Sequence, residues 1–367
     1  MVISSYTRDT YDNDPVGQPG ELFLVEPCGV YWVSTGWDPH NLQGDLEILG
    51  SVMISSTDYY PDYNGVLTSY GSSGSPGGSI YIGPSGSLIV NDANPAGTIA
   101  GGGFVSWYPY NLTNNGLIQL DLNPASTMTI GGGNISNNGI MSWEPISYSG
   151  ETYYLSASTG NGNILNDGTM YIQNVSSFQV SQNVYGVGCW VVGQNSVLNI
   201  ASASTTNNPT NAAMWQGQSV YLSDSTSRLF LQSSNFVSST TQVGIQIYGF
   251  GSGTQILVQT QPKYFSYNSG VLNFFLGQNS INLNVGPGYN AGGFQSQSVS
   301  GGYAIIYSGS VPQRSLPSQC QQQPPVQGIW PIAELTDPNQ FLPRGCPSVI
   351  SSLSRKSSMA CLNTLIC

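Results

Sequence analysis

Carboxylates, the residues best suited to acid–base chemistry, are few in this chain and thinly spread. There are 18 Asp and Glu residues, 7 Lys and Arg residues and one His in 367 residues. A polysaccharide-cleaving site needs two or three carboxylates close together, often with a basic residue or calcium. Part of the chain, described below, is a regular repeat that predicts a stack of coils, or rungs. We do not expect the acids of this part to lie in register on adjacent rungs with a basic partner. These acids are Asp92, Asp121, Glu144, Glu151, Asp167 and Asp224.

Metal-binding and nucleophilic chemistry have little support. Cys and His occur in no CxxC or HxxxH spacing, so neither a metal site nor a cofactor is expected. The short acidic pairs Asp12/Asp14 and Asp45/Glu47 could bind calcium but are more typical of solvated loops. His40 follows no nucleophile elbow, which argues against a catalytic triad. We therefore predict no catalytic residue.

Aromatic residues next to proline are the other candidates. Rings that stack on sugar faces, helped by Asn and Asp, are typical of carbohydrate-binding surfaces. The alternative is that these rings cap a rung or fill a loop. The candidate ligand-binding residues are Tyr59, Tyr60, Tyr63, Tyr108 and Tyr110.

The composition excludes two classes of partner. Charged residues make up 7% of the chain, against about 25% in an ordinary domain. The net charge of −11 and the pI near 4.1 leave no basic footprint for nucleic acid or anionic lipid. No stretch is long and apolar enough to insert into a membrane.

The cysteines and the glycosylation sequons favour a secreted protein. Six cysteines without metal spacing predict disulfides in an oxidising compartment, and 15 pairings are possible. We expect at least one tail cysteine to pair with Cys28 or Cys189, because these two are otherwise isolated. The remaining cysteines are Cys320, Cys346, Cys361 and Cys367. Candidate N-glycosylation sites are Asn111, Asn134 and Asn174.

The element that must position these residues is a repeat. Asn-Gly, or a near equivalent, precedes a short apolar alternation at steps of 30, 23, 29 and 28 residues, through Gly86, Gly116, Gly139, Gly168 and Ser196. A period of this size marks a solenoid or a tandem array. Asn-Gly tolerates the positive φ of a tight turn, and the alternation indicates a strand. The sequence therefore predicts an all-β parallel solenoid.

The strand rhythm also suggests domain boundaries. We predict an N-terminal arm or cap over 1–20 and a β-helix domain over 21–235. Strands follow at shorter intervals over 236–311, which fits a small β-sandwich or further solenoid coils. Residues 312–367 form a Pro/Gln-rich and then Cys-rich tail that needs disulfides as staples.

Several motifs resemble the N-terminal domain of the fungal hyphally regulated cell wall protein family. The resemblance covers about residues 20–325 and rests on the Asn-Asn-Gly coils and on the segments Tyr185–Trp190, Tyr248–Gly253, Lys263–Leu272 and Ile281–Tyr289. It implies a right-handed parallel β-helix followed by a small, α-crystallin-like β-sandwich. It also implies a place at the cell wall, with attachment to wall glucan through a GPI remnant outside this sequence.

We weigh three functional hypotheses, the first of which follows from the family resemblance. The first is a non-enzymatic adhesin of Candida-type yeasts that serves adherence, biofilm formation or host interaction, with a host cell, an abiotic surface or glycans as partner. The second is a carbohydrate-active lyase or glycosidase built on the β-helix. The third is an architectural protein that masks the wall without a specific ligand.

Overall fold

The structure is a computed structural model that describes residues 2–3, 6–9, 21–35, 40–42, 44–56, 67–70, 77–91, 104–121, 127–145, 149–157, 162–182, 184–201, 215–232, 240–276 and 279–322. The described residues are almost entirely β-structure. No helix among them is long and apolar enough to cross a membrane.

The strands of the first four coils are short and follow one another closely. They are β1 (Val2–Ile3), β2 (Tyr6–Asp9), β3 (Leu22–Val25), β4 (Val30–Thr35), β5 (His40–Leu42), β6 (Asp45–Ile48), β7 (Ser51–Ser56), β8 (Leu67–Tyr70), β9 (Ile80–Ile82), β10 (Ser87–Asn91) and β11 (Phe104–Trp107). The next four coils contain β12 (Asn111–Asn114), β13 (Leu117–Asp121), β14 (Thr127–Ile130), β15 (Asn134–Asn137), β16 (Ile140–Trp143), β17 (Ser149–Leu155), β18 (Ile164–Asn166), β19 (Thr169–Ile172), β20 (Val175–Val180), β21 (Val184–Tyr185), β22 (Cys189–Val192) and β23 (Val197–Ile200).

The C-terminal part of the described chain adds nine strands and one short α-helix. These elements are β24 (Ser219–Leu222), β25 (Arg228–Leu231), β26 (Thr240–Tyr248), β27 (Gln255–Val258), β28 (Phe265–Asn268), β29 (Val271–Leu276), β30 (Asn279–Asn284), β31 (Phe294–Val299), β32 (Gly302–Tyr307) and α1 (Ser318–Gln321).

Successive strands belong in turn to three sheets, and each coil from β3 to β23 contributes one parallel strand to each sheet. The first sheet runs in the order β1-β3-β6-β9-β12-β15-β18-β21, and the second begins β2-β4-β7-β10-β13-β16-β19-β22-β24-β26. The third contains β5, β8, β11, β14, β17, β20, β23, β25 and β27. This is a parallel β-helix, as the repeat predicted. The predicted arm at 1–20 lies partly within it, because β1 pairs with β3 and β2 with β4.

The glycines of the repeat are required by close stacking of the backbone. A Cβ on Gly139 would lie 2.1 Å from the carbonyl oxygen of Gly116, and one on Gly168 would lie 2.1 Å from that of Gly139. Neither glycine has a positive φ, so the predicted reason for Asn-Gly was wrong at these positions. Among the turn residues of the five copies, Asn195 in the last copy has a positive φ, of 54°.

The asparagine before each Asn-Gly or Asp-Gly pair points inward and forms a ladder. Asn114 Nδ2 donates to Asn137 Oδ1 at 2.8 Å, and Asn137 Nδ2 donates to Asn166 Oδ1 at 2.8 Å. Asn166 Nδ2 then donates to Gln218 Oε1 at 2.9 Å. All four side chains are buried, and their hydrogen bonds offset the cost of placing amides in the interior.

The remaining interior is apolar and aromatic. Trp143 packs on Phe178 with ring centroids 4.6 Å apart, and Trp190 packs on Trp215 at 5.2 Å. All three tryptophans are buried.

Parallel pairing continues past residue 235, since β26 pairs with β24 and β27 with β25. In the second sheet β30 also joins β26 in parallel, and β29 and β28 follow it in antiparallel pairing. In the third sheet β32 and β31 extend the sheet beyond β27 in antiparallel pairing. Aromatic rings pack between these extensions, with Tyr289 and Tyr307 centroids 4.8 Å apart. The predicted division into a β-helix and a sandwich at this point remains a prediction.

Candidate functional site

The outer face of the first sheet is an open surface with exposed rings. In adjacent strands Tyr81, Thr113, Ser136, Leu165 and Tyr185 occupy one register position. Tyr81 is 36% exposed, Leu165 37% and Tyr185 52%. Four rung steps separate the two tyrosines, roughly 19 Å along the stack. The two rings therefore bracket a shallow polar strip.

A row of amides and a carboxylate runs beside this strip. Ser79 N donates to Asp45 Oδ1 at 2.7 Å, and Asn134 Nδ2 donates to Asn111 Oδ1 at 3.2 Å. Asn163 N donates to Asn134 Oδ1 at 3.3 Å. The described strands of this sheet contain Asp45 and Glu47 but no Lys or Arg. Rings with polar edges beside amide donors and acceptors suit an uncharged, hydroxyl-rich ligand.

The predicted tyrosines divide between this face and its edge. Tyr110 is 64% exposed, directly before Asn111. Tyr108 is half-buried, with its ring against Gly131, where an added Cβ would lie 2.7 Å from Tyr108 Cε1. Tyr59, Tyr60 and Tyr63 lie outside the described residues.

Two exposed tyrosines of this face, Tyr81 and Tyr185, were not predicted from the sequence. Tyr81 stands between Ile80 and Ile82, which are both buried. Because successive side chains of a strand point to opposite faces, that alternation was the signal for an outward ring.

Two of the three sequons lie on this same face. Asn111 is half-buried and Asn134 is exposed, and they occupy neighbouring strands. Asn174 lies at a turn instead, with a φ of 58°, and its Nδ2 donates to Pro145 O at 3.3 Å. Use of these sequons remains a prediction.

The outer face of the second sheet is, by contrast, buried, and it contains a pair of carboxylates. Leu120 pairs with Trp143, and Glu144 N donates to Leu120 O at 3.0 Å. Asp121 and Glu144 therefore follow at the same register position on adjacent rungs. Asp121 is 2% exposed and Glu144 is partly buried. The expectation that the acids do not lie in register on adjacent rungs was wrong for this pair, although no basic partner stands beside them among the described residues.

Both acids follow a repeat glycine by five positions, Asp121 after Gly116 and Glu144 after Gly139. That common spacing was a signal in the sequence for their shared register. The other described acids of the regular coils are dispersed. Asp167 Oδ1 accepts from Val187 N at 2.9 Å, and Glu151 is exposed. Asp92 lies outside the described residues.

Burial controls the protonation of the carboxylate pair. Burial raises the pKa of Asp121 to about 8; the Gln119 hydrogen bond opposes that rise, and the charge of Glu144 adds to it. Burial likewise raises the pKa of Glu144 to about 7, partly offset by Ser142. Burial, and then the charge of Glu144, raise the pKa of Tyr171 to about 12.

Polar side chains from three rungs surround the pair. Gln119 Nε2 donates to both oxygens of Asp121, at 3.1 and 2.9 Å. Tyr171 OH donates to Gln173 Oε1 at 2.6 Å. Ser142 Oγ and Glu144 Oε1 are buried, and neither has a hydrogen-bond partner of ordinary geometry.

No group of three or more His, Cys, Asp or Glu side chains that could hold a metal occurs in the part of the chain that the structure describes. The carboxylate pair thus stands without a third ligand of those types.

The chain after β32 returns along the outer face of the second sheet. We call residues 311–322 the returning segment. Arg314 Nη1 donates to Ile247 O at 3.0 Å and to Val285 O at 2.8 Å, and its guanidinium lies 4.1 Å from the Tyr248 ring centroid. Farther along, Thr169 Oγ1 donates to Gln319 O at 2.5 Å. The segment therefore covers several successive rungs.

A disulfide holds this segment in place. Cys320 is bonded to Cys189 at an S–S distance of 2.05 Å, across 131 residues of sequence. The prediction that a tail cysteine pairs with Cys28 or Cys189 is confirmed. Cys28 is also disulfide-bonded. Cys346, Cys361 and Cys367 lie outside the described residues.

Comparison with known sequences adds an independent finding. The sequence profile of the family described as "Hyphally regulated cell wall protein N-terminal" matches residues 28–329. Over 313 residues, 74% of this chain and 24% of the relative, the chain is 28% identical to Hyphally regulated cell wall protein 3 of Candida albicans. It is 32% identical to Hyphally regulated cell wall protein 4 of the same species over 239 residues, 59% of this chain and 17% of that relative.

A third relative is named an adhesin. The chain is 29% identical to Adhesin AWP2 of Candida glabrata over 225 residues, which is 58% of this chain and 24% of the relative. The matches therefore span a quarter or less of the length of these curated relatives.

Proposed function

Since the chain belongs to the hyphally regulated cell wall protein family, with a match over residues 28–329, we propose that it is a non-enzymatic, adhesin-like module of the fungal cell surface. The relatives bear the names of cell wall proteins and of an adhesin. Attachment to wall glucan through a GPI remnant, and roles in adherence, biofilm formation and host interaction, belong to the same proposal.

The observation that carries this proposal is the open outer face of the first sheet. Its strands stack in register, so the spacing between Tyr81 and Tyr185 is fixed by backbone hydrogen bonds rather than by loops. A site on regular strands is held more precisely than one on loops. The face carries rings, amides and a few acids, which favours a neutral, extended glycan over an anionic one.

The state of the carboxylates supports a role other than catalysis. Glycoside hydrolysis needs two carboxyl groups that flank the scissile bond, with access for the sugar and for water. Asp121 is 2% exposed, and its neighbours Gln119 and Ser142 are fully buried. A polysaccharide chain could not reach both sides of this pair without displacing what covers it.

The test is saturable binding of the purified chain to an array of neutral glucans, mannans and host glycans. We expect Tyr81→Ala and Tyr185→Ala each to weaken binding by about fivefold, since a stacked ring contributes about 1 kcal/mol. Tyr154→Ala is the matched control, because Tyr154 is 41% exposed on the third sheet. Comparing the binding of protein made with and without N-glycans separates the effect of glycans at the sequons on this face from that of the tyrosine rings.

Three results would contradict the proposal. Equal losses of glycan binding in the Tyr154 control and in the first-sheet variants would mean that the rings act through protein stability or nonspecific adsorption. Absence of saturable binding to any glycan, cell or plastic surface would favour the architectural, wall-masking alternative. Release of soluble sugar from a polysaccharide that is lost in Asp121→Asn would favour the enzymatic one.

A further inference from the structure

The buried carboxylate pair of the second sheet lacks a group in the described part of the chain that would balance its negative charge. Two carboxyl groups at one register position, about 4.8 Å apart along the stack, repel each other when both are charged. No Lys or Arg among the described residues accompanies them. Placing such a pair in a buried surface without a positive partner is costly, and proteins compensate by protonating the carboxyl groups, by forming an ion pair or by binding a metal.

The atoms around the pair are hydrogen-bond acceptors in excess of donors. Glu144 Oε1 is buried without a hydrogen-bond partner. Ser142, two residues before Glu144 on the same face, is 0% exposed, and its Oγ also lacks a partner while it interacts with the Glu144 carboxyl. The Gln119 amide donates to the Asp121 carboxylate instead. The Ser142 hydroxyl and Glu144 Oε1 thus lie in one buried cluster without a hydrogen bond of ordinary geometry, a position that an electropositive group would complete.

We propose that Asp121, Glu144 and Ser142 bind a divalent cation, Ca²⁺, on the buried outer face of the second sheet. Two carboxylates balance the charge of one divalent ion. The donors are all oxygens, which suits a hard cation, and Ca²⁺ accepts irregular sets of carboxylate, hydroxyl, amide and water oxygens. The absence of nearby thiolate and imidazole ligands among the described residues disfavours Zn²⁺.

The location gives the ion a structural role. Gln173 N donates to Trp143 O at 3.0 Å, so Gln173 extends the register column of the two acids by one rung, and its side chain accepts from Tyr171. Tyr171 in turn belongs to the small apolar cluster of Cys189, Val191 and Cys320. A cation at the pair would therefore stabilise the rungs immediately beside those that the returning segment clamps.

The experiment uses the full chain, stripped with a chelator and then titrated with Tb³⁺ and with Ca²⁺. Tyr171 interacts electrostatically with Glu144, so its excitation should sensitise Tb³⁺ luminescence, and Ca²⁺ should quench that signal by displacement. Ca²⁺ should also raise the Tm of the stripped protein. Asp121→Asn and Glu144→Gln should each weaken Tb³⁺ binding about tenfold or more, and Ser142→Ala by less.

Glu151→Gln is the matched control, because Glu151 is an exposed acid outside the cluster. It should leave both the luminescence and the Ca²⁺-dependent rise in Tm unchanged. Circular dichroism of each variant checks that it folds. Equal Tb³⁺ signals in the Asp121, Glu144 and Glu151 variants would overturn the proposal. So would a Tm that Ca²⁺ leaves unchanged while acidification raises it, which would mean that the two carboxyl groups share a proton instead.

Discussion

The outer faces of the first and second sheets come from the same coils but differ in what covers them. Strands of the first sheet alternate, as in Ile-Tyr-Ile of β9 and Asn-Leu-Thr-Asn of β12, and their outward side chains are half-buried or exposed. Strands of the second sheet are buried on both sides, as in Cys-Trp-Val-Val of β22. A continuous buried run is typical of a parallel strand covered on both faces.

The difference separates two roles that a repeat could otherwise perform on one surface. The first face keeps its amides, rings and sequons in contact with solvent, where a ligand can reach them. The second face buries apolar residues such as Ile89 and Val191 together with the acidic pair. The disulfide of Cys320 holds the returning segment against this face. Stability and recognition therefore occupy different sides of the coil, and this separation can be broken by experiment.

The largest effect is expected at the inner amide ladder. Asn137→Ala removes bonds to Asn166 Oδ1 and Thr169 O and leaves Asn114 Nδ2 without its bond to Asn137. Each buried group left unsatisfied costs about 1–3 kcal/mol, so the free energy of unfolding should fall by about 2–5 kcal/mol. Asn138→Ala is the matched control, because exposed Asn138 loses only its bond to Asn115, and the loss should stay within about 0.5 kcal/mol.

Chemical denaturation of both variants measures this contrast. A large loss for Asn138→Ala would mean that the solvent-facing amides also hold the fold. In that case the outer face of the first sheet would not be free to vary for recognition.

The disulfide comes next in expected size. Replacing both Cys189 and Cys320 by Ala removes a crosslink that closes 131 residues of sequence, and the free energy of unfolding should fall by about 2–4 kcal/mol. Hydrogen exchange should rise in the returning segment and in β22, while β9 and β12 of the first sheet keep their protection. Uniform loss of protection across all three sheets would contradict the separation, because the clamp would then support the whole coil.

Much of this architecture follows from the sequence, because stacking imposes a period. The steps from Gly86 to Ser196 predicted the parallel coil that the structure shows. The sequence did not show why glycines are required at these positions. Their lack of a Cβ is demanded by a carbonyl oxygen of the preceding rung, which is a contact between residues more than 20 positions apart.

The candidate sites were less predictable for the same reason. Tyr81 and Tyr185 stand four rungs apart, so no local motif joins them. Cys28 and Cys189 were equivalent partners for a tail cysteine until the path of the chain was known. The shared register of the two acids could have been predicted from the sequence, since both follow a repeat glycine by five positions. Their burial was not, because β-strand patterns do not reveal which outer face the chain later covers.

The last of these effects concerns pH. In chelator, the raised pKa values of about 8 for Asp121 and about 7 for Glu144 mean that the folded protein binds more protons than the unfolded chain between their ordinary and raised values. Stability should therefore fall as pH rises from about 5 to about 8, because the folded protein loses its extra protons over that range. Below about pH 4 both states are protonated, and the pair no longer affects the slope.

The double substitution D121N/E144Q should flatten this slope, because neither replacement side chain titrates, and should leave the variant at least as stable as the parent at about pH 8. E151Q should keep the parental slope, because that acid is exposed. Urea denaturation at several pH values measures all three proteins. A slope that survives in D121N/E144Q would place the pH-dependent groups elsewhere. Burial of the second sheet's outer face would then not affect the titration of its acids. The two outer faces would differ only in how their side chains are packed.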